Sequence, residues 1–78
     1  MNAERTGEEL DLESALRDAH AVDDLPRLSA LYTRAAERAG GETDTACFFL
    51  THAWVFAMAA GLDEADVLRA RLAAHGRV

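Results

Sequence analysis

The stretch from Ala46 to Ala60 reads ACFFLTHAWVFAMAA, and only Thr51 and His52 in it are polar. A helix with this sequence is apolar in almost every direction, so other elements must surround it. A chain of 78 residues offers few such elements. The function of the protein therefore depends on whether those elements cover this helix completely.

The length of the chain predicts a single domain over residues 1–78 with a small core. Such a domain buries only about 60% of the surface that its unfolded chain exposes. Disulfides, a structural metal or oligomerisation commonly supply the stability that so small a core lacks. The lone cysteine, Cys47, lies in the apolar stretch and cannot form an internal disulfide. A single cysteine is typical of proteins of the reducing cytoplasm, so we expect a cytoplasmic protein. We expect association with another chain to supply the missing stability.

The composition also bears on membranes and origin. No basic segment followed by an apolar one opens the chain, and the apolar stretch is shorter than the about 20 residues that span a bilayer. We therefore expect no membrane partner. Seventeen alanines, eight arginines and no lysine are typical of a GC-rich bacterial genome.

The net charge of −6 is concentrated at one end of the chain. Residues 1–24 contain eight acidic residues and two arginines, whereas the acidic and basic residues after them balance. This distribution disfavours binding to nucleic acid. It fits either a solvated acidic surface or a regulatory, antitoxin-like inhibitor whose first helix binds a basic partner.

Helix caps and apolar periodicity predict an all-α fold of four helices, with no strand. The predicted helices cover residues 7–22, 25–39, 44–60 and 64–75. Thr6 and Glu9 form a capping box at the start of the first helix, and Asp23 or Asp24 caps the second helix ahead of Pro26. Thr43 or Asp44 starts the third helix. The fourth helix has an Asp63 cap, a hydrophobic staple between Leu62 and Val67, and a stop at Gly76.

The second helix has the clearest amphipathic pattern. Its apolar positions are Leu28, Leu31, Tyr32, Ala35, Ala36 and Ala39. The third helix carries a narrow seam of mostly small residues, namely Ala46, Leu50, Ala53, Ala57 and Ala60. Small side chains allow close approach, so we expect these two helices to form an antiparallel hairpin.

The rest of the third helix carries bulky side chains. We expect the fourth helix to cover part of this surface with Leu68, Leu72 and Ala65. The first helix has a thin apolar stripe, and two outcomes follow from it. If it covers the remainder, the fold closes as a monomer; if it does not, an apolar patch is left, and such patches mark interfaces.

The predicted hairpin over residues 25–60 resembles a tetratricopeptide repeat followed by the start of a second one. In its second helix that family places alanine, a bulky residue four positions later, and alanine three further on, as at Ala46, Leu50 and Ala53. The chain departs from the family in its longer loop, its longer second helix, and Gly61 where a proline is expected. The resemblance covers about half the chain and implies a helical protein that binds other proteins. Because about three repeats are needed for stability, it also implies association.

Candidate catalytic and metal-binding residues do not form a site in this sequence. Cys47 and His52 point about 140° apart on a helix, so they cannot act together. We expect Cys47 to be a small buried side chain, and Thr51 to bond back to the carbonyl of Cys47. We expect His52 to be packed and hydrogen bonded either to a backbone carbonyl or to a partner chain. The histidines and the cysteine have no metal-ligand spacing. We therefore expect no enzyme activity, no metal and no cofactor.

These inferences predict a small, non-catalytic protein-interaction module, acting as a homodimer or docked on a larger partner. We expect the contact to be formed by Phe48, Thr51, His52, Trp54, Val55 and Met58. One alternative is a ligand-binding or enzymatic domain in which Trp54 and Met58 line a pocket. The other is the acidic regulator of a basic partner.

Overall fold

A computed structural model describes the backbone of residues 7–78 and the side chains of residues 11–78. The described residues form four helices and no strand, which confirms the all-α class. The helices are α1 (Gly7–Ala21), α2 (Leu25–Ala39), α3 (Thr43–Ala60) and α4 (Glu64–Ala74). Their bounds differ from the predicted ones by no more than one residue. The predicted capping box of Thr6 and Glu9 lies outside the described residues.

The helix ends follow the predicted signals only in part. Asp24 caps α2 by accepting a hydrogen bond from the Arg27 amide at 3.3 Å, and Pro26 lies in the first turn. Thr43 begins α3 and Asp63 occupies the cap position of α4, as predicted, but neither Glu42, which precedes α3, nor Asp63 makes a side-chain capping bond. Val67 is 61% exposed, so the staple predicted with Leu62 buries little surface.

The hairpin of α2 and α3 contains the main core. The small-residue seam of α3 faces α2, and Leu50, Ala53 and Ala57 are fully covered. The Ser29 hydroxyl on α2 donates a buried hydrogen bond of 2.9 Å to the Ala53 carbonyl on α3. Such a bond needs close backbones, which the alanines allow. On the other side of α3, the predicted contact with α4 is present through the buried Leu68.

The first helix packs against α2 and not along α3. Ala19 of α1 joins Leu28 and Leu31 of α2 in a second, smaller core cluster. The described part of α1 reaches α3 at the ring of Phe56, whose centroid is 5.9 Å from that of His20. Consequently α1 leaves most of the bulky surface of α3 uncovered.

The four helices therefore lie side by side in chain order. Each helix packs on its neighbour in the sequence, and α3 lies between α2 and α4. The molecule measures 40 × 31 × 13 Å along its principal axes. No helix in residues 7–78 is long and apolar enough to span a bilayer.

Candidate interaction surface

The side of α3 that points away from its neighbours carries four exposed residues, which we call the outward face: Phe48, Thr51, Val55 and Met58. Their spacing of three, four and three residues places them on one stripe of the helix. Phe48 is 58% exposed, Met58 49% and Val55 48%. Large apolar side chains rarely remain this exposed in a row without a partner.

The polar groups of this surface are already hydrogen bonded within α3. The Thr51 hydroxyl donates to the Cys47 carbonyl at 2.8 Å, as the sequence predicts. The His52 Nδ1 lies 3.0 Å from the Phe48 carbonyl, which confirms the predicted backbone bond. No charged residue occurs in α3 after Asp44. Covering the outward face would therefore cost little polar desolvation.

The six predicted contact residues divide into two groups. The four residues of the outward face are exposed, while His52 and Trp54 are half-buried at its edges. Trp54 packs against the core between α3 and α4, so its ring has a structural contact within the monomer. Cys47 is 2% exposed and belongs to the same core, as predicted.

One edge of the outward face consists of stacked rings, which we call the Tyr32 cluster. Tyr32 of α2 stacks on His52 at 5.1 Å, on Phe56 at 5.7 Å and on Phe49 at 6.1 Å between ring centroids. Its hydroxyl lies 2.9 Å from the Nε2 of His20, which is on α1. The cluster joins three helices and continues into the outward face through His52, whose ring lies 4.6 Å from that of Phe48.

Sequence reasoning missed this cluster and the Ser29 bond. The sequence places Tyr32 in the apolar stripe of α2 and gives no partner for His20. Ser29 lies three residues before Tyr32 and seven before Ala36, so it is at the edge of that stripe and its burial is predictable. Its partner on α3 is not predictable from this pattern.

Two grooves lie elsewhere on the molecule. One, of about 490 Å³, runs between α2 and α4 and is lined by Pro26, Ala30, Thr33, Leu62, Val67 and Arg71, among others. A second, of about 300 Å³, lies between α1 and α2 and includes Phe49 in its lining. Trp54 and Met58, which the ligand-binding alternative places in a pocket, line neither groove.

The charged groups near α3 form surface pairs. Arg77, which follows α4, donates to Asp44 at the start of α3 at 2.7 Å. This hydrogen bond raises the pKa of the Arg77 guanidinium. Within residues 11–78, whose side chains are described, no group of three or more His, Cys, Asp and Glu side chains could hold a metal ion.

Comparison of the chain with models of protein families, with curated proteins and with solved structures found no match. The resemblance to a tetratricopeptide repeat therefore remains a prediction.

Proposed function

We propose that this protein is a small, non-catalytic interaction module of the cytoplasm that binds another protein chain through the outward face of α3. The observation that carries the proposal is the row of exposed apolar side chains at Phe48, Val55 and Met58, each about half exposed or more. Hydrophobic burial favours association by about 25 cal/mol per Å² of apolar surface.

The structural context supports this choice of surface. α2 and α4 already occupy the two sides of α3, and α1 packs on α2. No further described helix is left to cover the outward face. The Thr51 hydroxyl and the His52 Nδ1 are bonded to carbonyls of α3 itself, so the face is suited to apolar contact. Aromatic residues and methionine are enriched in the cores of protein interfaces.

Site-specific photo-cross-linking tests this proposal in intact cells. A benzophenone amino acid is placed at position 55, and its products are separated by mass and identified by mass spectrometry. The matched control places it at position 67, where another exposed valine lies on α4. We expect a protein cross-link from position 55 that is absent from position 67. Equal yields from both positions, or no product, would contradict the proposal.

A further inference from the structure

We infer that the partner of the outward face is a second copy of this chain, with the two α3 helices packed antiparallel about a twofold axis near Ala53. This inference rests on the proposed function and specifies its partner. In this arrangement Phe48 of one copy meets Met58 of the other, and Thr51 meets Val55. A twofold interface must be complementary to itself, so the sequence of the face can be examined for this property.

The outward face has this self-complementarity in size and shape. Read from either end, it presents a large side chain, a β-branched one, a β-branched one and a large one, at spacings of three, four and three residues. Thr51 and Val55 have nearly the same shape. Phe48 and Met58 would form a contact between an aromatic ring and a thioether, which is favourable. The twofold axis brings like edges of the two faces together, so His52 lies beside His52 of the other copy on one edge and Trp54 beside Trp54 on the other.

The charge distribution favours a second copy over a charged partner. Residues 1–24 carry the whole net charge of −6, and α2 lies between α1 and α3. Residues from Thr45 to Leu62 carry no charge, and Asp44 just before them is paired with Arg77. Two copies can therefore meet along α3 without bringing their acidic segments into contact.

A dimer interface of the usual area can form along α3 if the residues at both edges of the outward face take part. A standard interface covers about 800 Å² of each partner, which is about one sixth of the 4900 Å² surface of this chain. The outward face spans the ten residue steps from Phe48 to Met58, about 15 Å along the helix axis. The Tyr32 cluster on one side and Trp54 on the other extend it with further ring surface.

Sedimentation equilibrium of the purified protein, from low to high micromolar concentration, tests the inference. We expect a mass approaching twice the monomer mass of 8.5 kDa. Val55→Asp should raise the dissociation constant about 100-fold or more, because it buries a charge at the centre of the interface. Val67→Asp, the matched control on α4, should leave the constant unchanged. Circular dichroism of each variant verifies that the helices are retained.

A charge pair tests the antiparallel register. Thr51→Lys and Val55→Asp should each weaken self-association. Mixed together, they should form a heterodimer at least about 10-fold tighter than either homodimer, because the introduced charges face each other across the axis. Met58→Lys is the matched control, since in this register its side chain lies about 10 Å along the axis from position 55 of the other copy. A mixture of Met58→Lys and Val55→Asp should therefore not regain tight association.

The outcomes separate this inference from the proposed function. A wild-type monomer at every concentration, or a dimer that Val55→Asp leaves intact, would overturn the second copy as the partner. The interaction function would still hold if position 55 cross-links to a different protein. Rescue by Met58→Lys in place of Thr51→Lys would overturn the antiparallel register. A dimer with the predicted losses and the predicted rescue supports the inference.

Discussion

Ser29 contributes a buried polar contact to the core between α2 and α3. Its hydroxyl is buried and donates to the Ala53 carbonyl at 2.9 Å. We expect Ser29→Ala to lower the free energy of unfolding by about 1 kcal/mol, the usual net value of such a bond, with a small offset from the better helix propensity of alanine. Urea denaturation measures the change.

Thr33→Ala is the matched control for that measurement. The Thr33 hydroxyl also donates at 2.9 Å, but to the Ser29 carbonyl within the same helix. Removing it breaks no contact between helices, so we expect a change within about 0.5 kcal/mol. Equal losses in the two variants would show that the bond between Ser29 and Ala53 has no special role in the hairpin.

Trp54 and Val55 are neighbours in sequence but should respond differently to a charge. Trp54 packs against the core between α3 and α4, whereas Val55 lies on the outward face. We expect Trp54→Asp to cost about 2–4 kcal/mol of monomer stability and Val55→Asp less than about 1 kcal/mol. Urea titration at low protein concentration measures both. Similar losses would place Val55 in the core and remove the basis of the proposed interface.

Bonds within one helix were predictable at individual residues, whereas contacts between helices were not. The spacing of four residues was sufficient to predict the bond of Thr51 to the Cys47 carbonyl, and the bond of His52 to the Phe48 carbonyl is one of the two predicted for that residue. The bond between His20 and Tyr32 depends on how α1 docks on α2. That docking is set by tertiary packing and leaves no local pattern in the sequence.

The turn after α3 depends on a left-handed glycine. Gly61 has φ of 69° and ψ of 33°, and its amide bonds to carbonyls of the last turn of α3. A side chain there would meet no neighbour but would strain the backbone. We expect Gly61→Ala to cost about 1 kcal/mol, which corresponds to a fall in melting temperature of about 4–8 °C for a domain of this size.

Gly41→Ala is the matched control for Gly61→Ala. Gly41 also has open space around its Cα, but its φ is not positive. Alanine should therefore be neutral or stabilising there, by up to about 0.5–1 kcal/mol, because it restricts the unfolded chain. A loss at Gly41 as large as that at Gly61 would mean that the backbone angle is not the cause.

The positions of the helices were more predictable than their caps. Pro26, the glycines at 40, 41 and 61, and the 3.6-residue periodicity fix each helix to within one residue. α3 and α4 have no side-chain capping bond, although several acidic or hydroxyl residues adjoin each start. Each of these residues can cap a helix, and the choice among them depends on the backbone path of the loop.

The thin apolar stripe of α1 was visible in the sequence, but the surface that it covers was not. α1 is attached through one small cluster on α2, whereas α3 is packed on two sides. We expect backbone amides of the described part of α1 to exchange with solvent at least about 10-fold faster than those in the middle of α3. Hydrogen exchange followed by mass spectrometry measures this, with α4 as a second packed reference. Equal protection of α1 and α3 would contradict it.

If two copies pair along α3, the stability of the whole molecule depends on protein concentration, because a dimer that unfolds to monomers obeys mass action. We expect the melting temperature of the wild type to rise with each tenfold increase in concentration. Val55→Asp should abolish this dependence and lower the melting temperature found at low concentration by no more than a few degrees, and Val67→Asp should retain it. A wild-type melting temperature that is independent of concentration would instead indicate that the outward face remains uncovered in solution, since its exposed side chains have no partner within the described part of the chain.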